Sequence, residues 1–249
     1  PHECSSAASD VYKRQIRTPA ALVDLARQAP EGVAVVGLMA YEGHIAGLPD
    51  DTPFQAALNP VKRALKRRAF PAAARLRAEA VAALGDAGVP LSVVNAGGTG
   101  SVHLNASEST ITEVTAGSGF LCSHLFDYYA DLSLQPAAFF ALEVVRCSDP
   151  GMVTCAGGGY VASGEPGWDR LPLPVQPPGL RYVSVEGAGE VQTPLQVPAG
   201  VQIELGEPVL VRHSKAGELA ERFREYRLVR GGCVVAREPT YRGEGWCFF

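Results

Sequence analysis

The chain has 249 residues, 47% of them hydrophobic and 19% charged, with a formal net charge of −4. That apolar content can bury a sizeable core, and the acidic balance argues against a general binder of nucleic acid or anionic membrane. No apolar stretch approaches the roughly 20 residues that span a bilayer, and the six cysteines show no CxxC pair or even spacing, so a cytoplasmic protein with reduced thiols is expected.

Residues 5–15, SSAASDVYKRQ, carry no apolar periodicity and read as the in-frame translation of a transposase-type sequencing adapter. Residues 1–15 are therefore expected to be a disordered processing artefact, with natural sequence from Ile16 and its upstream part missing. Next, TPAALVDLARQA has Pro19 in the first turn and apolar residues at helical spacing. GVAVVGLMAY follows as a continuous apolar run, the pattern of a strand buried on both faces. A Gly/Asp/Pro loop leads to a long helical pattern through NPVKRALKRR and FPAAARLRAEAVAALGDAG. Its basic run, Val61 to Phe70, spaces charges between apolar residues as a solvated helix face does. Two further strands are expected, in PLSVVNAGG and STITEVTAG.

After about Ala137 the texture changes to short strand-like runs broken by Gly and Pro: AAFFALEVVRC, MVTCAGG, LRYVSVEGAGEVQ, GVQIELGEPVLVRHS and YRLVRGGCVVAREP. These predict a mainly antiparallel β domain over 137–249, with a hairpin turn at Gly231 and Gly232 and one helix in GELAERFREY. The region 16–136 alternates strands and helices, as parallel βα units do. A closed (β/α)8 barrel takes about 250 residues, and only three or four strands fit before Pro136. The region is thus either a small open sheet or, the better reading given the adapter junction, the C-terminal half of a TIM-type barrel.

Chemistry in parallel sheets sits at the C-terminal ends of strands. Three such ends stand out: Tyr41, Glu42 and His44 in GLMAYEGH; NAGGTGS at 95–101; and TEVTAGSG at 112–119. A glycine-rich turn after a strand lets backbone N–H groups converge on a phosphate, with the Thr99 and Ser101 hydroxyls as extra donors. Two such turns on consecutive strands form one phosphate cup. In the C-terminal half, His213, Lys215 and Glu218 lie on or just after a strand in RHSKAGEL.

In this order GLMAYEGH, NAGGTGS and TEVTAGSG resemble the fold-type III pyridoxal-phosphate (PLP) enzymes, in the D-threonine aldolase and D-serine dehydratase group related to the alanine racemase N-terminal domain. CAGGGYVASG, GAGEVQTP, RHSKAGEL and TYRGEG narrow the resemblance to the bacterial amino acid deaminase/aldolase proteins, over essentially all of Ile16 to Phe249. The resemblance implies a PLP-binding alanine racemase-like barrel followed by a β domain, in a homodimer. It places Asn95, Gly97, Gly98, Thr99, Gly100, Ala116, Gly117, Ser118 and Tyr41 at the cofactor. Tyr41, His44, His213 and Lys215 are its candidate catalytic residues. The implied activity is a PLP-dependent lyase, an aldolase or dehydratase acting on D- or β-hydroxy amino acids.

Two departures qualify that implication. The Schiff-base lysine of the family sits on a first barrel strand that this chain lacks, and none of Lys13, Lys62, Lys66 and Lys215 matches it. The chain alone is therefore expected to be inactive. The best-known relatives hold a divalent metal with His-x-Cys or His-x-Asp, where this chain has His213-Ser214-Lys215. An ammonium is no donor ligand, so His213 is the single metal-ligand candidate and the pair is a poor metal site. Lys215, partnered by Glu218, would then supply the positive charge. An amino-acid racemase and a non-catalytic PLP-binding protein are the alternatives, with a carbohydrate- or partner-binding β module behind them.

Overall fold

The computed structural model describes residues 16–45, 47–164 and 166–246, so the adapter-like residues 1–15 lie outside it. The chain divides into two compact units. One runs to Phe120 and adds Phe126–Leu134; the other comprises Leu121–Leu125 and everything from Gln135.

The α/β unit holds helix α1 (Pro19–Arg27), strand β1 (Gly37–Met39), helix α2 (Asn59–Asp86), strand β2 (Val93–Ala96), helix α3 (Val102–Asn105) and strand β3 (Glu113–Val114). Thr18 caps α1 by accepting a hydrogen bond from Ala21 N, and Pro19 occupies the first turn, where its missing N–H costs nothing. Helix α2 continues through Pro71 for 28 residues as one element. The three strands form a parallel sheet in the order β1-β2-β3, Gly37 opposite Val93 and Asn95 opposite Glu113.

One expectation fails here. The run GVAVVGLMAY does not make a strand buried on both faces: only Gly37–Met39 is strand, and Val33, Val36 and Met39 are all more than half exposed. Among the described residues strand β1 pairs with β2 alone, so no ladder covers its outer edge there, and Leu38 between the exposed Gly37 and Met39 is only half-buried.

The β unit is built on a six-stranded antiparallel sheet in the order β6-β9-β4-β5-β8-β7. Its strands are β4 (Phe139–Asp149), β5 (Met152–Ala156), β6 (Leu173–Gln176), β7 (Arg181–Tyr182), β8 (Gln192–Gln196) and β9 (Pro208–Arg212). Alternation on β4 turns Phe140, Leu142 and Val144 inward, against Val153, Cys155, Leu195, Val209 and Val211. Burial of each such side chain stabilises by about 1.5–3 kcal/mol. Phe140, Tyr160 and Phe223 close one end of this core, their ring centroids 5.2 to 5.8 Å apart.

The predicted helix in GELAERFREY shortens to α4 (Ala216–Ala220). Beyond it β10 (Glu225–Arg230) and β11 (Cys233–Pro239) form a separate hairpin, followed by the single turn α5 (Tyr241–Glu244). Gly231 and Gly232 turn that hairpin with φ of +58° and +79°, as a two-residue primed turn requires. No helix among the described residues is long and apolar enough to cross a membrane.

Candidate functional site

Within the α/β unit, β2 and β3 both end in small-residue turns, and the turns meet. After β2, Gly97 adopts φ +89° and the chain enters a helical turn at Thr99–Ser101 that leads into α3. After β3, Gly117–Phe120 make a second turn, where a Cβ built on Gly119 would lie 3.1 Å from Thr99 Cγ2. Only hydrogen fits at Gly119 without moving Thr99. As the first residues of a helical turn, Thr99 and Gly100 have N–H groups with no intrahelical acceptor. The Gly98 N–H is engaged, donating to Ser101 Oγ at 3.2 Å.

Ser101, read from sequence as an extra phosphate donor, is instead fully buried and tied inward: its hydroxyl donates to Glu42 Oε2 at 3.3 Å. Glu42 is the centre of a polar network that sequence reading did not find. Asn105 Nδ2 donates to both Glu42 oxygens at 2.9 and 3.0 Å, and Arg77 pairs with Glu42 at 3.0 Å. Arg77 also holds Glu108 through two bonds of 2.8 and 2.7 Å and donates to the Ala40 carbonyl. Burial works against the Arg77 charge, but the Glu108 and Glu42 carboxylates outweigh it and raise the pKa above the usual guanidinium value. The network therefore locks the end of β1 to α2 and to the helix that carries the glycine turn. Glu42 positions the turn rather than facing a ligand.

The other predicted residues fall in three places. Asn95 is buried, its amide donating to Glu113 Oε1 at 2.6 Å and Thr115 Oγ1 at 2.9 Å, a lateral tie between β2 and β3. Gly117 and Ser118 lie in the second turn and Ala116 immediately precedes it. Tyr41 and His44 come together in a groove of about 590 Å3, with Arg17, Leu22, Leu38 and Leu76 among its walls; the turn glycines do not line it. Gly100 lines a different cavity of about 560 Å3, with Lys66, Arg67, His103 and Tyr129. There Lys66 pairs with Asp50 at 3.1 Å and stands 4.5 Å over the Tyr129 ring. Desolvation lowers its pKa, against the raising pull of Asp50.

His213 and Lys215 belong to the β unit. His213 is 2% exposed, and among the described residues neither ring nitrogen has a partner at hydrogen-bond geometry. Burial pushes its pKa down to about 4; the Ala138 backbone opposes this, while His124 and Arg212 add to it. Ser214 Oγ donates to the Asp169 carbonyl at 2.9 Å. Lys215 Nζ donates to Ser163 Oγ at 2.9 Å, and the Ser163 N–H donates to both Glu218 oxygens at 2.8 and 3.0 Å. Glu218, expected from sequence as the partner of Lys215, is linked to it through Ser163.

The His213 environment carries a pH prediction. Below its ordinary pKa of 6.5 the unfolded chain binds a proton that the folded chain refuses until about 4. Stability present above 6.5 is therefore lost as pH falls through that window, by about 3 kcal/mol for a shift of this size. Urea unfolding at pH 7 and pH 4 should show a smaller loss in His213→Gln than in the wild type. Equal losses in the two proteins would sink this account.

No family model matches the chain, and no curated protein matches it either. Solved structures do. The chain is similar to D-threonine aldolase from Filomicrobium marinum at 24% identity and TM-score 0.72, over 90% of this chain and 57% of that one. It is similar to D-threo-3-hydroxyaspartate dehydratase from Delftia sp. HT23 at 22% identity and TM-score 0.63, over 89% and 60%. An ala racemase-like protein from Idiomarina loihiensis gives 16% identity and TM-score 0.64, over 94% and 62%. The chain thus spans less than two thirds of each of these proteins. The likeness shows a fold shared with these three proteins.

Proposed function

We propose that this chain is the cofactor-phosphate and β-domain portion of a PLP-dependent lyase, an aldolase or dehydratase of D- or β-hydroxy amino acids. The supporting observation is the abutment of the two glycine turns at the C-terminal ends of adjacent parallel strands, Gly119 against Thr99. In this reading β1–β3 with α2 and α3 are part of a (β/α)8 barrel, and Thr99, Gly100 and the 116–118 turn bind the phosphate. The ring of the cofactor, when bound, supplies an electron sink for the electrons left as a substrate bond breaks. The chain's own contribution is fixed N–H groups for the phosphate, and the Glu42–Asn105–Ser101 network that holds them in place. Tyr41 and His44 line a groove apart from the turn glycines, so their place at the cofactor ring or substrate rests on the motif resemblance alone, in a homodimeric cytoplasmic enzyme.

No lysine among the described residues stands at the end of β1, β2 or β3: Lys62 and Lys66 are on α2 and Lys215 is in the β unit. The chain by itself is therefore expected to show no aldolase or dehydratase turnover on D-threonine or D-serine. The binding test is independent of turnover. PLP and pyridoxal, which lacks the phosphate, are titrated separately against the chain. PLP should bind at least about tenfold tighter, equivalent to 1.4 kcal/mol, and Gly119→Val should erase the difference by displacing Thr99. Equal affinities in the wild type would overturn the proposal, since surface lysines react with either aldehyde.

A further inference from the structure

His213, Ser214 and Lys215, at the His-x-Cys or His-x-Asp position, are a poor donor set for a metal ion. His213 is enclosed, Ser214 is bound to the Asp169 carbonyl, and Lys215 carries a charge that repels a divalent ion. The surroundings of Lys215 are nevertheless organised. The segment 162–164 is fixed by Ala162 N–H donating to Arg170 O at 2.9 Å and by Ser163 N–H donating to Glu218. The Ser163 hydroxyl accepts from Lys215 Nζ, and the next residue, Gly164, lies under the Arg170 guanidinium, whose Cζ would be 3.3 Å from a Cβ there. Two cations thus flank one short segment, Arg170 also pairing with Asp169 at 3.7 Å. Glu218 is capped by a backbone N–H, and among the described residues Lys215 makes no ion pair by direct contact. An ammonium held by one neutral hydroxyl keeps two N–H donors for a ligand.

We propose that Lys215, fixed by Ser163 and seconded by Arg170, is a metal-independent receptor for the carboxylate of an amino acid. The amino-acid identity of the ligand rests on the function proposed above; the absence of a metal requirement does not. Charge-assisted N–H···O contacts of this kind are stronger than neutral ones and need no metal to supply positive charge. Substitution by a neutral side chain would leave the ligand's carboxylate without its counter-charge. Arginine would keep the charge but change the reach and shape of the donor.

Two measurements on the whole chain test this. First, the chain is incubated with excess Zn2+, desalted, and its zinc measured. The wild type should retain under about a tenth of an equivalent, whereas Lys215→Cys, which supplies a thiolate beside His213, should gain zinc that is lost again when His213→Ala is added. A full equivalent in the wild type, lost in His213→Ala, would overturn the proposal. Second, the chain is labelled at lysine Cε. It contains four lysines, so Lys215→Arg identifies the Lys215 resonance by elimination. That resonance should move on titration with D-threonine, with an affinity on the order of 1 mM, and stay in place with D-threoninol, which has no carboxylate. No movement, or equal movement with the alcohol, would overturn it. PLP binding is scored on the same samples. A chain that binds PLP but leaves Lys215 unmoved loses this inference alone. One that moves Lys215 but does not discriminate PLP from pyridoxal loses the cofactor reading alone.

Discussion

Arg77→Met is expected to lower the unfolding free energy of the α/β unit by about 3–5 kcal/mol, the cost of leaving a buried charge without its partner. Arg77 and Glu42 are 2% and 1% exposed, so water does not reach the carboxylate that the substitution strands. Asn105 and Ser101 still donate to it, but both are neutral and already engaged. Glu108 loses two bonds of its own at the same time. Adding Glu42→Gln to Arg77→Met should recover part of the loss, because the amide removes the stranded charge while keeping an acceptor for Asn105. Urea unfolding followed by the helical signal measures this, since α2 is the longest helix described. A double variant no more stable than Arg77→Met would show that the charge is not the source of the cost. The functional consequence is tied to the stability one. Asn105 and Ser101 lie within or next to α3, so the same substitution should also weaken the preference for PLP over pyridoxal.

Much of the architecture was legible from local pattern. The helix in TPAALVDLARQA, the glycine turns after β2 and β3, the antiparallel texture after Ala137 and the hairpin at Gly231–Gly232 all depend on residues close in sequence. What escaped depends on residues far apart. Glu42 lies 35 residues from Arg77 and 63 from Asn105, and polar pairs at such separations leave no periodic trace. Arg77 follows, in the same helix, a basic run at Val61–Phe70 that reads as a solvated face, and nothing local marked it as buried. Strand β6 was missed because Pro172 and Pro174 argue against a strand, although Pro174 is accommodated opposite Val211. The run GVAVVGLMAY misled in the other direction. Its composition reports what a strand would bury with neighbours on both sides, and among the described residues β1 has one. The site shows the same division: the turns were visible in sequence, while the clamp that holds them was not.

Gly97→Ala should expose that clamp from the ligand side. The substitution carries two penalties. An alanine at φ +89° is strained by about 1–2 kcal/mol, and its methyl would lie 3.0 Å from Asn105 Nδ2 and 3.1 Å from Val114 Cγ1. The first penalty alone is measured at Gly88, which has φ +78° with no atom within 4 Å of its would-be Cβ. Gly88→Ala should therefore cost only the conformational strain and leave the PLP preference intact. Gly97→Ala should cost a further 1–3 kcal/mol or so, the usual penalty of overpacking, as Asn105 is pushed off the Glu42 carboxylate. It should also lose the preference for PLP over pyridoxal, because the N–H groups of Thr99 and Gly100 move with the helix that Asn105 anchors. Equal stability losses at the two glycines would mean that the turn yields without disturbing Asn105. A retained PLP preference in Gly97→Ala would mean that phosphate recognition does not depend on the buried network beneath it.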